Sequence, residues 1–259
     1  MQNSENISRK EVHPLVRTRL KVVIPASGVG TRFGAALPKQ FLELKGEPIL
    51  RRTIAAFAQM DMIDEIAVAV PTGYAKMVEG YGFNKVRHIV EGEANRAASV
   101  YKALKRLPKD TEIVLIHDGV RPFVTAELIQ TVADAVKKHG AAIACTPVTD
   151  TIKQAAPAMQ IEKTLDRNQL WRAQTPQGFT YDIIMQAYRQ AEKNGILHQA
   201  TDDSALVERL GIPVYIVPSS PRNIKITTAE DLAVAEAFLS SVGATTCHPH
   251  LPTTYWRTT

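Results

Sequence analysis

A glycine-rich segment, PASGVGTRFGAALPKQFLEL at positions 25–44, directly follows the first predicted strand. Gly28 and Gly30 permit backbone conformations that aim several N–H groups into one concavity, and such nests at the carboxyl edge of a parallel sheet bind phosphates. Arg32 and Lys39 flank a Leu-Pro turn in the same segment. Two fixed cations beside a glycine nest suit a triphosphate whose charge must be neutralised during a reaction. The alternative for this segment is a simple turn with two solvated charges.

The spacing of the glycines separates this segment from two common phosphate-binding motifs. A dinucleotide-binding fingerprint needs Gly-x-Gly-x-x-Gly and an acidic residue at the end of the second strand. Here Gly34 comes one residue late, and the second predicted strand ends in Pro71. A P-loop needs Gly-Lys-Ser/Thr, which the segment lacks. The pattern therefore indicates a phosphate site that is neither a dinucleotide-binding fingerprint nor a P-loop.

A second group of polar residues lies in IHDGVRPF, positions 116–123, at the end of a predicted buried strand. Asp118 follows the strand end and is expected to point into the crevice where α/β proteins hold ligands. There its carboxylate could coordinate a hard divalent cation or accept a hydrogen bond from a ribose hydroxyl. Arg121, beside Pro122, suits a bidentate contact with phosphate. His117 is a base or, more simply, a core histidine. The alternative for Asp118 and Arg121 is a local salt bridge.

Four further residues are weaker candidates when taken singly. Arg167 in LDRNQLW and Thr175 in QTPQGF lie near an irregular stretch, Lys225 in RNIKIT precedes the last predicted helix, and Ser99 lies on a predicted helix. A lone Lys or Arg is usually a solvated charge. The chain has neither Gly-x-Ser-x-Gly nor His-Glu-x-x-His, so the sequence gives no support for triad hydrolases or zinc proteases.

The two cysteines do not suggest a disulfide framework. Cys145 lies in the apolar run AAIACTPV and is expected to be a core thiol. Cys247 lies close to His248 and His250, which could bind a metal, but a terminal segment without a fourth ligand is the simpler interpretation.

Composition and charge restrict the class of protein. The chain has 259 residues, 45% of them hydrophobic, and a net charge of +5 that is carried mostly by its two ends. A near-neutral body does not favour nucleic-acid binding, which concentrates positive charge on a folded face. No apolar run approaches the roughly 20 residues of a membrane span, and no secretion signal is recognisable. We therefore expect a cytoplasmic protein with neither a nucleic-acid nor a membrane partner.

Short β-branched runs alternate with longer stretches of helical period. This alternation predicts an α/β fold, a single Rossmann-like domain whose mostly parallel sheet has helices on both faces. Thr125 is expected to cap one helix and Gly140 to end it. Predicted strands cover 22–26, 65–71, 86–90, 112–118, 141–148 and 213–218, and predicted helices cover 48–60, 95–107, 125–140, 181–195 and 227–241.

One stretch, 149–180, has no sustained helical period and is too long for a simple connection. Alternation in TIKQA and MQIEKTLD predicts a short hairpin that projects from the main body. The expected domain covers 18–241 with an arm inserted at about 149–175, and 1–17 and 242–259 are expected to be loose termini.

These segments occur in a recognisable order: PASGVGTRFGAALPKQF, the RAASV helix, HDGVRPF, PVTDTIK, DRNQLWRAQTPQGF, ATDDSALVE and NIKIT. From about 20 to 240 the chain resembles 2-C-methyl-D-erythritol 4-phosphate cytidylyltransferases of the non-mevalonate isoprenoid pathway. The resemblance implies transfer of the cytidylyl group of CTP to methylerythritol phosphate, with release of pyrophosphate. It also implies Mg²⁺ or another divalent cation, held mainly by the CTP phosphates with Asp118 as a possible ligand, and a homodimer whose arm completes the partner's site.

The resemblance assigns roles residue by residue. Arg32 and Lys39 would stabilise the transition state at the α-phosphorus, and Arg167 from the partner subunit would join Lys225 in holding the substrate phosphate. The nucleotide-binding set would be Pro25, Ala26, Ser27, Gly28, Gly30, Thr31, Arg32, Lys39, Gly92, Ser99 and Asp118. The substrate-binding set would be Asp118, Arg121, Thr151, Arg167, Thr175 and Lys225.

Elementary chemistry explains why such a site needs cations. The nucleophile is a phosphate oxygen that is already anionic near neutral pH, so no general base is required. The obstacle is repulsion between two polyanions, together with charge that gathers on the leaving pyrophosphate. Arginines, lysines and Mg²⁺ remove that obstacle by positioning and electrostatics.

The chain departs from the family pattern at a few positions. Glu93 stands where the family usually has a glycine near the base pocket, so its nucleotide contact is expected to be made by the backbone. Asn95 and Ala98 stand where charged residues are frequent, and Thr31 stands in place of a frequent arginine.

Three other functions are weighed against this one. A ribitol 5-phosphate cytidylyltransferase shares the glycine loop and the HDGVRPF-like and TPQ-like motifs, but DRNQLW and ATDDSALVE look more like the isoprenoid enzyme. A non-catalytic nucleotide-binding module has no reason to combine Arg32, Lys39, Arg167 and Lys225. A nucleic-acid-binding protein is disfavoured by the near-neutral body.

Overall fold

The computed structural model of the chain describes residues 19–28 and 37–241. The strands are β1 Leu20–Pro25, β2 Glu43–Leu44, β3 Glu47–Pro48, β4 Ile63–Val70, β5 Val86–Glu91, β6 Ile113–Ile116, β7 Ala141–Pro147, β8 Lys153–Ala155, β9 Ile161–Thr164, β10 Trp171–Thr180 and β11 Tyr215–Pro218. The helices are α1 Ile49–Ala58, α2 Ala75–Glu79, α3 Arg96–Leu104, α4 Ala126–His139, α5 Tyr181–Lys193, α6 Ser204–Glu208 and α7 Ala229–Ser241.

Seven strands form the central sheet in the order β11-β7-β10-β6-β1-β4-β5. β1 pairs in parallel with both β4 and β6, whereas β10 runs antiparallel between β6 and β7. After β1 the chain continues to β4 on one side of β1, and it later returns to form β6 on the other side. This change of direction opens a crevice at the carboxyl ends of β1 and β6. This confirms the predicted α/β fold with a mostly parallel sheet.

Helices cover both faces of the sheet because the strands are apolar on both faces. In β1, Val22 and Ile24 pack on one face with α1 and α4, while Val23 packs on the other face with α3, α5 and α6. Continuous apolar strands of this kind are typical of parallel sheets buried on both sides. The sheet is therefore a rigid support for the loops at its carboxyl edge.

The predicted boundary signals of α4 are confirmed. The Thr125 side chain accepts a hydrogen bond from the Leu128 N–H at 3.2 Å, as an N-cap residue does. At the other end, Gly140 has a φ of +85°, a conformation that glycine adopts without the cost of a Cβ atom.

The irregular stretch divides into two parts with different structures. The predicted hairpin is present as β8 and β9, and every residue of these two strands is exposed. The predicted arm extends to about residue 175, but Trp171–Thr180 forms strand β10 inside the main sheet. The projecting part is therefore shorter than predicted, because the chain re-enters the sheet at Trp171.

The longest described helix is α4, with 14 residues. A bilayer-spanning helix needs about 20 apolar residues, and none of the described helices meets that requirement.

Candidate active site

Two adjoining cavities open at the carboxyl edge of the sheet, where β1 and β6 end. The larger has a volume of about 440 Å³ and lies beside the glycine-rich segment. The smaller, of about 300 Å³, lies beside the start of β10. Three residues line both cavities, namely Arg96, Asp118 and Lys225. The site therefore offers two compartments that meet at a cluster of charged side chains.

The glycine-rich segment forms one wall of the larger cavity, through Pro25, Ala26, Ser27 and Gly28. The buried side chain of Gln40 donates hydrogen bonds to the carbonyls of Ala26 (2.5 Å) and Gly28 (3.2 Å). These bonds join the segment to the 3-10 turn Lys39–Phe41, so that Lys39 lines the same cavity. The predicted site residues Gly30, Thr31 and Arg32 lie outside the described residues.

The facing wall is held by Ser99, which is fully buried at the start of α3. Its hydroxyl donates to the Asn95 carbonyl at 2.9 Å and accepts from the Glu93 N–H and from the Ser27 hydroxyl, both also at 2.9 Å. Because one hydroxyl has one donor and two lone pairs, all its capacity is used. Ser99 thus fixes the two walls of the cavity relative to each other.

The Gly92–Glu93 segment passes tightly against the glycine-rich wall. A Cβ atom on Gly92 would overlap the Cβ of Ser27 and lie 2.6 Å from its hydroxyl oxygen, so only glycine fits there. Glu93 lines the cavity, and its carboxylate pairs with Lys102 at 2.6 Å. The hydrogen bond from Lys102 lowers the pKa of Glu93. The Glu93 side chain is therefore tied to α3.

Asp118 lies at the centre of the charged cluster that both cavities share. Its Oδ1 accepts from Arg96 Nε at 3.1 Å, and its Oδ2 lies 2.8 Å from Lys225 Nζ and 3.6 Å from Arg121 Nε. Burial alone would raise the pKa of Asp118, but these three cations, Arg96 first, hold it well below its ordinary value. The alternative of a local Asp118–Arg121 salt bridge is thus part of a larger network.

This arrangement bears on a divalent cation. Both oxygens of Asp118 already face cations, so the carboxylate is a poor additional ligand for Mg²⁺. Within residues 19–28 and 37–241, His, Cys, Asp and Glu side chains nowhere gather in threes as a metal site would need. The described residues do not form a cage for a resident ion.

His117 is a core histidine whose hydrogen bonds define its tautomer. Nε2 lies 3.0 Å from the Arg121 carbonyl, which can only accept, so Nε2 carries the proton. Nδ1 therefore accepts from the Thr175 hydroxyl, also at 3.0 Å, and that hydroxyl accepts from the Asp118 N–H at 3.1 Å. Burial lowers the pKa of His117 from 6.5 to about 4. Its ring nitrogens are thus occupied in holding the site together.

The low pKa of His117 has a consequence for stability. Between pH 6.5 and pH 4 the unfolded chain binds a proton at this residue and the folded chain does not, so acid favours unfolding. We expect the free energy of unfolding to fall by about 2 kcal/mol more in the wild type than in His117→Gln between pH 7 and pH 5. Urea unfolding of both proteins at the two pH values measures this difference. Equal losses in both would contradict the buried, neutral histidine.

The predicted substrate residues are distributed unevenly. Arg121, Thr175, Asp118 and Lys225 line the smaller cavity. Thr151 and Arg167 line neither cavity; they lie near the β8–β9 hairpin, where Arg167 donates to the Thr149 carbonyl at 2.7 Å. Within this chain, Thr151 and Arg167 therefore remain apart from the other candidates.

Sequence reasoning missed several residues that build the site. Arg96 lines both cavities, Gln40 fixes the glycine-rich wall, and Gln174, Gln177 and Asp202 line the smaller cavity. The position of Arg96, directly after the helix-capping Asn95 and in the first turn of a helix that follows a strand end, is a signal that could have identified it.

Comparison with known proteins is consistent with this geometry. The family model for 2-C-methyl-D-erythritol 4-phosphate cytidylyltransferase (IspD) matches residues 20–241. Proteins of that name from Syntrophus aciditrophicus and Geobacillus thermodenitrificans are both 44% identical to the chain, over 86% and 85% of it and 97% of each relative.

Solved structures agree with the sequence relatives. The 4-diphosphocytidyl-2C-methyl-D-erythritol synthase of Anaerococcus prevotii superposes with a TM-score of 0.78 at 31% identity, covering 86% of this chain and 96% of that one. The 2-C-methyl-D-erythritol 4-phosphate cytidylyltransferase of Thermus thermophilus superposes with a TM-score of 0.71 at 35% identity, covering 85% and 98%. With the family model and the relatives, this shows that the chain belongs to the 2-C-methyl-D-erythritol 4-phosphate cytidylyltransferase family.

Proposed function

We propose that the two cavities hold CTP and 2-C-methyl-D-erythritol 4-phosphate side by side, and that the chain transfers the cytidylyl group to the alcohol phosphate and releases pyrophosphate. The observation that carries this proposal is the convergence of Lys39, Arg96, Arg121 and Lys225 on one crevice of a chain that the family model matches from 20 to 241. The larger cavity, beside the glycine-rich wall, takes the nucleotide. The smaller cavity takes the alcohol phosphate.

The residues divide between the two ligands. Pro25, Ala26, Ser27 and Gly28 line the larger cavity and bring backbone close to the nucleotide. Gly92 packs tightly against Ser27, and Ser99 holds that wall in place. Gly30, Thr31 and Arg32, which the resemblance assigns to the nucleotide, would bind its phosphates, and Arg32 would share with Lys39 the stabilisation of charge on the α-phosphate. Asp118, Arg121, Thr175 and Lys225 face the alcohol phosphate. Arg167 acts from beside the hairpin of the partner subunit, and Thr151 serves the same substrate.

The chemistry is a direct displacement. An oxygen of the substrate phosphate forms a bond to the α-phosphorus of CTP, while the bond from that phosphorus to the bridging oxygen of the pyrophosphate breaks. Lys39 and Arg32 stabilise the charge that develops on the α-phosphate, and Lys225 aligns the nucleophile. No proton has to be removed, which is consistent with the enclosure of His117 in hydrogen bonds.

We propose that Mg²⁺ enters with CTP as part of the substrate and is held mainly by phosphate oxygens. Mg²⁺ commonly keeps several waters and binds substrate phosphates with one or two carboxylates. The three cations around Asp118 support a minor role for that carboxylate. Since CTP is a cytoplasmic metabolite, we place the enzyme in the cytoplasm.

The test of this function is a substrate matrix with purified protein and Mg²⁺. CTP, UTP, ATP and GTP are each combined with methylerythritol phosphate and with ribitol 5-phosphate, and pyrophosphate release is measured together with the mass of the product. We expect release with CTP and methylerythritol phosphate alone. Preference for ribitol 5-phosphate would move the enzyme to the other cytidylyltransferase class, and silence in every combination would refute the proposal.

We further propose that the enzyme is a homodimer in which the hairpin of one subunit completes the site of the other. The support is the position of Arg167, outside both cavities of its own subunit, on a segment with the exposed apolar residues Met159, Ile161 and Trp171.

This arrangement predicts complementation between two inactive variants. Lys39→Ala and Arg167→Ala each disable the site to which the residue contributes, but a mixed dimer retains one intact site. Random reassociation of equal amounts is expected to restore about a quarter of wild-type activity, since half the dimers are mixed and each has one working site. Pyrophosphate release after co-refolding measures it. Activity no higher than the sum of the separate variants would show that Arg167 serves its own subunit.

A further inference from the structure

The carboxylate of Asp203, at the start of α6, is completely buried and lines neither cavity. Its Oδ1 accepts a hydrogen bond from the Tyr188 hydroxyl at 2.5 Å, and its Oδ2 accepts from Arg96 Nη2 at 2.8 Å. Its backbone N–H donates to Gln177 Oε1 at 3.0 Å. A buried charge is costly unless it is paired and hydrogen-bonded, so this carboxylate depends on Arg96.

Arg96 connects this buried carboxylate to the reaction centre. Its Nη2 contacts Asp203, its Nε contacts Asp118, and its side chain lines both cavities. Burial alone would lower the pKa of Arg96, but the charges of Asp203 and Asp118 raise it well above its ordinary value. Arg96 is therefore a permanent cation whose guanidinium is held from two sides.

The Asp118 carboxylate in turn positions Lys225. Lys225 Nζ lies 2.8 Å from Asp118 Oδ2, and Arg96 occupies the other oxygen. If Arg96 lost its second partner, its fork of N–H groups could take both oxygens of Asp118, because bidentate pairing with a carboxylate is its preferred geometry. Lys225 would then lose its place at the junction of the cavities.

We infer that Asp203 is a positioning residue for cytidylyl transfer, which acts through Arg96 to fix Asp118 and Lys225 where the two cavities meet. This inference rests on the proposed function and adds to it a residue that touches neither substrate. Misplacing a reacting group by about 1 Å costs up to roughly 100-fold in rate. Loss of the Asp203 charge should therefore lower kcat/KM by about 10- to 100-fold.

The main variant is Asp203→Asn, which keeps the size of the side chain and removes its charge. The matched control is Tyr188→Phe, which removes the other hydrogen bond to the same carboxylate and leaves the Arg96 ion pair in place. Arg96→Gln and the double variant Arg96→Gln/Asp203→Asn complete a cycle that reports whether the two residues act together. Steady-state pyrophosphate release and thermal unfolding are measured for all five proteins.

We expect Asp203→Asn to remain folded and to lower kcat/KM at least 10-fold. Tyr188→Phe should stay within about threefold of the wild-type kcat/KM, even if the two variants melt at similar temperatures. In the Arg96→Gln background, adding Asp203→Asn should change kcat/KM less than about twofold. Three results would overturn the role of Asp203 while leaving the proposed function intact. They are losses that multiply in the Arg96→Gln/Asp203→Asn double variant, an equal loss in Tyr188→Phe, and wild-type activity in Asp203→Asn. An inactive wild type would instead refute the proposed function, and this role with it.

Discussion

Replacing Lys39 with alanine is expected to lower kcat about 100-fold, with little change in stability. Removing one preorganised donor from the charge that develops in a transition state typically costs roughly 3 kcal/mol, which corresponds to that factor. Lys39 lines the larger cavity, on a turn that Gln40 fixes to the glycine-rich wall. Because the proposal has its charge act mainly on the negative charge that develops at the α-phosphate in the transition state, kcat should fall more than the KM for CTP rises.

The matched control for this change is Lys76→Ala. Lys76 is exposed on α2 and lines neither cavity. The Lys76→Ala substitution therefore removes the same charge at a position outside the site. Steady-state kinetics of pyrophosphate release for both variants measure the effect. A loss below threefold for Lys39→Ala, or equal losses in both variants, would show that Lys39 does not stabilise the transition state.

Gly92→Ala should damage the nucleotide side of the site. The added methyl group would overlap the Cβ of Ser27, and the backbone N–H of Gly92 is committed to the Val70 carbonyl at 2.8 Å, so the segment cannot easily retreat. Overpacking of this kind costs about 1–3 kcal/mol in stability. We expect the KM for CTP to rise at least about 10-fold, because the wall formed by Ser27 must move.

Gly80→Ala is the matched control for that substitution. Gly80 follows α2 in a right-handed helical conformation, and a Cβ atom there would meet carbonyl oxygens of the preceding turn at an ordinary 3.4 Å. This variant should change neither stability nor KM appreciably. If Gly92→Ala binds CTP as tightly as Gly80→Ala does, measured by calorimetric titration, the nucleotide does not depend on this wall.

The predicted strands and helices were largely confirmed because their apolar periods match the structure, whereas strand β10 was missed. Its segment, WRAQTPQGFT, contains polar residues that are nevertheless buried, and hydrophobic pattern cannot anticipate their partners. Gln177 accepts hydrogen bonds from the backbone of Asp203 and Ser204, which lie 26 and 27 residues further along the chain. Gly178 leaves room for Val132 and Val136 of α4 to pack directly on the strand. Both features depend on tertiary contacts.

The sequence predicted which types of residue form the candidate site better than it predicted the ion pairs and hydrogen bonds between them. Asp118 was identified by its position at a strand end and Lys225 by the family resemblance, and the structure brings their side chains to 2.8 Å. Arg96 also pairs with Asp203, 107 positions further along the chain, and so joins it to Asp118; this connection follows only from the fold. The resemblance places Ser99 in the nucleotide-binding set, and in the structure its hydroxyl is fully used in fixing two walls of the larger cavity.

We propose direct transfer between two bound substrates, and a single-turnover measurement tests that proposal. Enzyme in excess is mixed with Mg²⁺ and CTP labelled in the α-phosphate, first alone and then with methylerythritol phosphate. Direct transfer predicts no pyrophosphate and no labelled protein with CTP alone, and one equivalent of labelled CDP-methylerythritol once the acceptor is added. Pyrophosphate release without acceptor, with the label left on the protein, would contradict it by showing that a side chain attacks first.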